Sequence, residues 1–293
     1  MESVILGFPD YERQGRRLAQ ALGCPFALLG LHHFPDGESR VSVPVDLPQH
    51  TILCRSLDHP NAKLIELLLA ADTARELGAQ RVTLVAPYLC YMRQDIAFNP
   101  GEAVSQRIVG RFLAGLADAV ITVDPHLHRI HDLTEAIPGI HARALSSAAV
   151  MGDFLRGHSH GPLLVGPDSE SDQWVRAVAG YAGLDYVIAH KERLGDREVH
   201  IRVPDGDYCG REVVLIDDMA STGHTLMGVA AALKGRGAGP VHCLVTHALY
   251  DPGAERLMRA AGIEHIWSSD SISHASNAFS LDTLLAGAVR AVD

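Results

Sequence analysis

The chain reads as an α/β protein made of two similar halves, each a mainly parallel sheet flanked by helices. Short apolar runs bounded by turn residues alternate with helix-period segments almost throughout the 293 residues. That is the pattern of parallel strands joined by crossover helices. No long linker or low-complexity tract interrupts it, and the best boundary falls near residues 140–147, where a strand-like stretch gives way to Ser146-Ser147 and a helix. The stretches VTLVAPYLCYMRQD and VVLIDDMASTGHTL, one in each half, both read as apolar strand, polar loop and helix, which points to a duplicated α/β unit. The expected domains are residues 1–145 and 146–293, about five strands each, with the last helix free to pack back on the first domain.

Taken in order, Val4 to Leu6 is the first strand, and the segment from Asp10 to Leu22 has helical spacing and stops at Gly23, a normal helix end. Thr51 to Cys54 is a strand. Pro60 suits a helix start because the amide it lacks has no partner in a first turn. Leu64, Leu67, Leu68, Ala71 and Ala74 follow at helical spacing, and Leu77-Gly78 ends the run. Further strands are expected at Arg81 to Ala86, Ala119 to Val123, Pro162 to Val165, Tyr186 to Ala189, Glu212 to Ile216 and Val241 to Thr246.

Composition excludes several classes. Lys plus Arg total 25 against 35 Asp plus Glu, a formal charge of −10, which argues against nucleic acid as the main partner. A small phosphorylated ligand needs only a few placed donors and remains open. The richest apolar stretch, Lys63 to Ala74, is broken by Glu66 and Asp72 and falls short of the roughly 18 apolar residues of a membrane helix. MESVILGFPD does not read as a signal peptide. Five scattered cysteines with no C-x-x-C spacing read as small buried hydrophobes in a reducing compartment, so a cytoplasmic location is expected. The 17 histidines are an unusual surplus.

The sharpest chemical feature is Val213 to Leu226. Four apolar residues end in Asp217-Asp218, then Ala220, Ser221, Thr222 and Gly223 run into a helix at about Thr225. In open α/β sheets ligands bind beyond the carboxyl ends of strands, and a Ser/Thr/Gly loop at a helix start converges N–H donors on an anion. Two adjacent acids beside such a cradle suit the hydroxyls of a diol. The plain alternative is a capped helix with solvated acids.

With this loop in place the sequence resembles the ribose-phosphate pyrophosphokinase family, whose loop of this form binds ribose 5-phosphate. Phe34-Pro35-Asp36-Gly37-Glu38, the run from Pro87 to Arg93-Gln94-Asp95, Val123-Asp124-Pro125-His126, Pro167-Asp168, and Lys191-Glu192-Arg193 follow in the family's order, with Ser269-Asp270-Ser271 near the end. The resemblance implies two phosphoribosyltransferase-like domains and transfer of the β,γ-diphosphoryl group of ATP to the C1 hydroxyl of ribose 5-phosphate. It assigns ribose 5-phosphate to Asp217, Asp218, Ser221, Thr222, Gly223, His224 and Thr225, and ATP to Phe34, Asp36, Glu38, Arg93, Gln94 and Asp95. Catalysis falls to Lys191 and Arg193, and Mg²⁺ to His126 and Asp168. It further implies a homo-oligomer whose adenine site is shared between subunits.

Elementary chemistry agrees with several of these roles. Arg93 can brace phosphate oxygens bidentately. Phe34 offers a face for adenine, while Asp36 and Glu38 can accept from its amine. Lys191 and Arg193, placed after the strand Tyr186 to Ala189 on a loop able to close, would stabilise developing phosphoryl charge. Each motif also has a plain reading: a Pro-Asp-Gly turn at residue 36, a solvated Lys-x-Arg, a helix N-cap at Asp168. His126-x-His128-x-x-His131 also invites a zinc or dinuclear centre, but Pro125 and the lack of a Cys or Glu-x-x-His partner weigh against it. Ile96 stands where the family often has a base, and Glu170 and Asp172 add acid near the diphosphate. The S-T-G-H-T loop is closer to the archaeal form, with His224 able to donate to phosphate when protonated. Two other readings compete: a phosphoribosyltransferase that consumes the product, and a silent regulatory relative.

Overall fold

The apolar runs pair into two separate six-stranded parallel sheets. In the computed structural model, residues 2–159, 161–193 and 199–292 are described, with the backbone alone at 191–193 and 199–200. The chain begins β1 (Ser3–Gly7), α1 (Glu12–Leu22), β2 (Phe26–Leu28), then the antiparallel hairpin β3 (Gly30–His33) and β4 (Ser39–Ser42). It continues β5 (His50–Cys54), α2 (Pro60–Glu76), β6 (Arg81–Val85), α3 (Ser105–Leu116), β7 (Ala119–Val123), α4 (Leu133–Ala136) and β8 (His141–Leu145). The sheet order is β2-β1-β5-β6-β7-β8.

After α5 (Ala148–His158) the pattern repeats: β9 (Leu163–Gly166), α6 (Asp172–Ala182), β10 (Tyr186–Ile188), and a second antiparallel hairpin of β11 (His190–Arg193) and β12 (Val199–Arg202). Next come β13 (Val213–Ala220), α7 (His224–Gly235), β14 (Val241–Ala248), α8 (Pro252–Ala260), β15 (Ile263–Ser269), β16 (Asn277–Phe279) and the last helix, α9 (Asp282–Val292). This sheet runs β10-β9-β13-β14-β15-β16. Corresponding strands hold corresponding places, down to single bonds. The Gly7 carbonyl accepts from the Leu29 amide at 2.9 Å, and the Gly166 carbonyl from Ala189 at 2.8 Å.

The chain divides into two units. One holds residues 1–145, 271–273 and 281–293, the other residues 146–270 and 274–280. The last helix thus belongs to the first unit, where α9 packs against α1, and α5 packs against α6 in the second. Each sheet is buried on both faces, which is why its strands read as continuous apolar runs. In the second unit Val213, Leu215, Val241 and Cys243 face one core, while Val214, Ile216 and Leu244 join Met151, Phe154 and Val178 in the other.

Two expectations change. The echo between VTLVAPYLCYMRQD and VVLIDDMASTGHTL is not the structural one, since the former holds β6, fourth in its sheet, and the latter β13, third. The counterpart of β13 is β5, and any buried parallel strand with a polar exit gives the same local pattern. β13 also runs four residues beyond the expected Ile216, because Asp217, Met219 and Ala220 stay in register with Val245, His247 and Ala248 of the equally long β14. Among the described residues no helix is long and apolar enough to cross a membrane.

Candidate functional site

In the second unit, Asp217 and Asp218 lie on β13 itself. Asp218 is buried, and its amide donates to the Asp217 carboxylate at 2.9 Å. Burial, the Asp218 carboxylate and the Asp168 carboxylate together push the Asp217 carboxyl well above the ordinary range. Asp168 is drawn into this group by its place at the exit of β9, next to β13. Its side chain caps a short 3-10 turn, accepting from the Glu170 and Ser171 amides at 3.0 and 3.3 Å. The N-cap reading of Asp168 is therefore the observed one, and it leaves lone pairs for a further partner. Glu170 is exposed.

Beyond β13 the half-buried Ser221 and exposed Thr222 lead to Gly223, the residue before α7. Only glycine suits this point. Its φ is +72°, and a Cβ would lie 2.7 Å from Met258 Cγ and Sδ. α7 starts at His224, one residue before the expected Thr225, with no side chain capping its first turn. Its leading N–H groups, with the hydroxyls of Ser221, Thr222 and Thr225 nearby in sequence, are donors of the kind that bind an anion. His224 Nδ1 lies 3.0 Å from Thr222 Oγ1, which aims the imidazole along the loop. Lys191 and Arg193 lie on β11, paired with Ile201 and Val199, and not on a loop after Ala189. Their side chains, and residues 194–198 with Gly195 and Asp196, lie outside the described part.

The first unit places its candidates on three connections beyond the sheet. Phe34 to Glu38 form the tip of the β3–β4 hairpin, closed by the Phe34 amide on the Glu38 carbonyl at 2.8 Å and the Gly37 amide on the Phe34 carbonyl at 2.9 Å. The Asp36 carboxylate is turned to the Glu38 amide at 3.1 Å. Phe34 is 39% exposed, with the His32 ring edge-on at 4.8 Å, so a ring face is available for stacking. After β6, Arg93 is exposed and Gln94 half-buried, whereas Asp95 turns inward at 4% exposure. Asp95 accepts from Arg129 Nη1 at 2.6 Å, a contact that ties this connection to the one after β7. His126 follows Asp124, whose φ is +39°, and packs edge-on against His128 at 4.2 Å. His126 belongs to the first unit and Asp168 to the second.

Sequence reasoning missed a buried ion network in the first unit. Glu66, taken as a break in an apolar run, is 1% exposed and accepts from Arg55 Nη1 at 2.6 Å, His33 Nε2 at 2.7 Å and Ser39 Oγ at 2.9 Å. Burial alone would raise its carboxyl, but bonds from His33, Arg55 and Ser39 hold it below the ordinary value. Asp10 is lowered likewise: burial opposes, and Arg55 and Lys63 prevail. The available signal was a lone Glu inside LIELLLAA, which must find a cation if that face is buried. The histidine surplus is partly internal. His50 is buried with Nε2 2.9 Å from Thr83 Oγ1, and His247 is buried as well.

The duplicated sheets and the glycine-capped strand–loop–helix of the second unit define a phosphoribosyltransferase-type protein, and residues 140–282 match the description "Phosphoribosyl transferase domain". Residues 4–116 match the "N-terminal domain of ribose phosphate pyrophosphokinase". The chain is 36% identical over 272 residues to a ribose-phosphate pyrophosphokinase of Methanopyrus kandleri, covering 92% of each chain. It is 30% identical over 287 residues to one of Methanosarcina acetivorans, covering 98% of this chain and 99% of the relative. The chain belongs to the ribose-phosphate pyrophosphokinase family. A solved phosphoribosylpyrophosphate synthetase from Mycobacterium smegmatis shares the fold, with a TM-score of 0.82 and 21% identity over 100% of this chain and 99% of that one.

Proposed function

We propose that this chain transfers the β,γ-diphosphoryl group of ATP to the C1 hydroxyl of ribose 5-phosphate, giving phosphoribosyl pyrophosphate and AMP. The observation that carries this reading is the second unit's strand end, two acids leading into an uncapped, glycine-started helix, in a chain of this family. The 5-phosphate sits on the N–H groups and hydroxyls of residues 221–225, with His224 as a further donor. Asp217 and Asp218 accept from the ribose hydroxyls and so fix the direction of C1. The C1 oxygen attacks the β-phosphorus, the bond from that phosphorus to the α-phosphate oxygen breaks, AMP leaves, and the hydroxyl proton passes to water. Lys191 and Arg193 stabilise charge developing on the transferred group.

ATP is held by the first unit's candidates: Phe34 under adenine, Asp36 and Glu38 on its amine, Arg93 on the phosphates, with Gln94 beside it. Asp95 acts behind these through Arg129. In the family's manner the hairpin serves a neighbouring subunit of a homo-oligomer. A divalent cation suits the donors present, because Asp168, Asp217 and Asp218 repel one another in a way a bound cation relieves. The family resemblance assigns Mg²⁺ to His126 and to Asp168, and when bound it would supply charge neutralisation on the phosphates. A cytoplasmic location fits five scattered cysteines, three of them buried.

The test is Mg²⁺-dependent AMP release from ATP that requires ribose 5-phosphate. Lys191→Ala abolishes it. A purified protein that forms no AMP with any common nucleotide sinks the synthetase reading in favour of a silent relative.

A further inference from the structure

The two hairpins share an apolar dock at the same register, Val41 in the first unit and Ile201 in the second. In the second unit the β11–β12 hairpin meets α7 through an apolar contact, in which Ile201 Cδ1 lies 2.4 Å from where a Cβ on Gly228 would be. In the first unit a buried carboxylate is added to the apolar contact of Val41. His33 and Ser39 are the last register pair of β3 and β4 before the tip, and both side chains donate to the same Glu66 oxygen, at 2.7 and 2.9 Å. The other Glu66 oxygen is taken by Arg55 Nη1 at 2.6 Å. Arg55 is itself buried, with its guanidinium 4.2 Å over the Phe8 ring and its Nε on Asp10 at 3.0 Å.

A carboxylate anchored on one side by a buried guanidinium, and gripping both strands of a hairpin on the other, fixes the tip more tightly than apolar packing does. The bonds are directional and charge-assisted, and Glu66 on α2 has little rotamer freedom left. The tip it fixes is Phe34 to Glu38. We propose that Glu66 is a positioning residue for the adenine platform, clamping the base of the hairpin through His33 and Ser39 so that Phe34, Asp36 and Glu38 are presented in one conformation. The proposal rests on the assignment of adenine to that tip.

The experiment compares full-length His33→Ala/Ser39→Ala, Phe34→Ala and the triple variant. The double variant severs the hairpin arms and leaves the Arg55–Glu66–Asp10 core intact. AMP formation is measured against ATP and ribose 5-phosphate separately, with thermal melts and amide exchange at Phe34 and Gly37. The expected result for the double variant is a KM for ATP about tenfold higher, with kcat and the KM for ribose 5-phosphate within about twofold. Exchange at both amides speeds up with only a small fall in melting temperature, and the triple variant is worse than Phe34→Ala by less than the double variant's own factor, the remainder being what Asp36 and Glu38 lose. Glu66→Gln, which keeps an acceptor for Ser39, falls between wild type and double variant. If Phe34→Ala raises the KM for ATP and the double variant does not, the clamp is wrong and the adenine assignment stands. If Phe34→Ala leaves that KM unchanged, the adenine assignment fails and the proposal with it. An equal loss towards both substrates with a lowered melting temperature shows a general structural role and overturns the proposal.

Discussion

The ends of β5 and β13 occupy the same place in their two sheets and carry opposite electrostatics. Register with the neighbouring first strand puts Cys54 of β5 level with Gly7, and Leu215 of β13 level with Val165, one residue before Gly166. The next residue beyond Cys54 is Arg55, and the acids Asp217 and Asp218 stand at the corresponding point of the other unit. Arg55 is fully spoken for by Asp10 and Glu66, while Lys63 pairs with Asp10 and Asp58. The acids of β13 instead face a third carboxylate. One copy of the repeat has satisfied its strand end from within and become scaffold. In the other, burial and two neighbouring carboxylates push Asp217 up.

The sharpest way to break this comparison is to remove one charge from each end. Arg55→Leu leaves Glu66 and Asp10 buried without their guanidinium and should cost about 3–5 kcal/mol of stability, read from denaturant melts. Asp218→Asn, at the corresponding end, should lower AMP formation about a hundredfold or more while moving the melt little. If both variants chiefly unfold the protein, the second strand end is scaffold too.

Asp217 sharpens the contrast through pH. Its folded pKa lies above the ordinary 3.8, so the fold favours its protonated form. That contribution is whole below pH 3.8 and lost as pH rises through the folded value. Asp217→Asn should therefore raise the melting temperature at neutral pH and not at pH 3.5, and added Mg²⁺ should narrow the gap. Asp10 and Glu66 have lowered folded values and behave in reverse. Their contribution is present above the ordinary 3.8 and 4.5 and lost as pH falls through the lowered values. Acid titration should thus release the first unit's network below about pH 4, with Glu66→Gln flattening the response. The smallest effect is expected at Asp168, where Asp168→Ala removes an N-cap and should cost about 1 kcal/mol. A much larger loss confined to activity would support its metal role.

Much of the fold was legible because buried parallel strands announce themselves as apolar runs, and Gly23 and Gly78 end their helices with positive φ. The length of β13 was not legible, since two acids inside a strand look like its end. Placing Asp-Asp before a Ser/Thr/Gly loop was enough to locate the candidate site, because that chemistry is local. Glu66, Arg129 and the inward turn of Asp95 were hidden. Their meaning lies in partners 11 to 34 residues away in sequence, and no periodicity records which charge meets which.

The last helix carries a consequence for synthesis. α6 finds its cover in α5, which precedes it in the chain. α1 waits for α9, with the Arg290 guanidinium closing on the Ala21 carbonyl at 2.5 Å. As the polypeptide leaves the ribosome, the second unit has all its layers before the first does. The half that begins earliest is completed latest, and until α9 arrives α1 lacks the helix that packs against it.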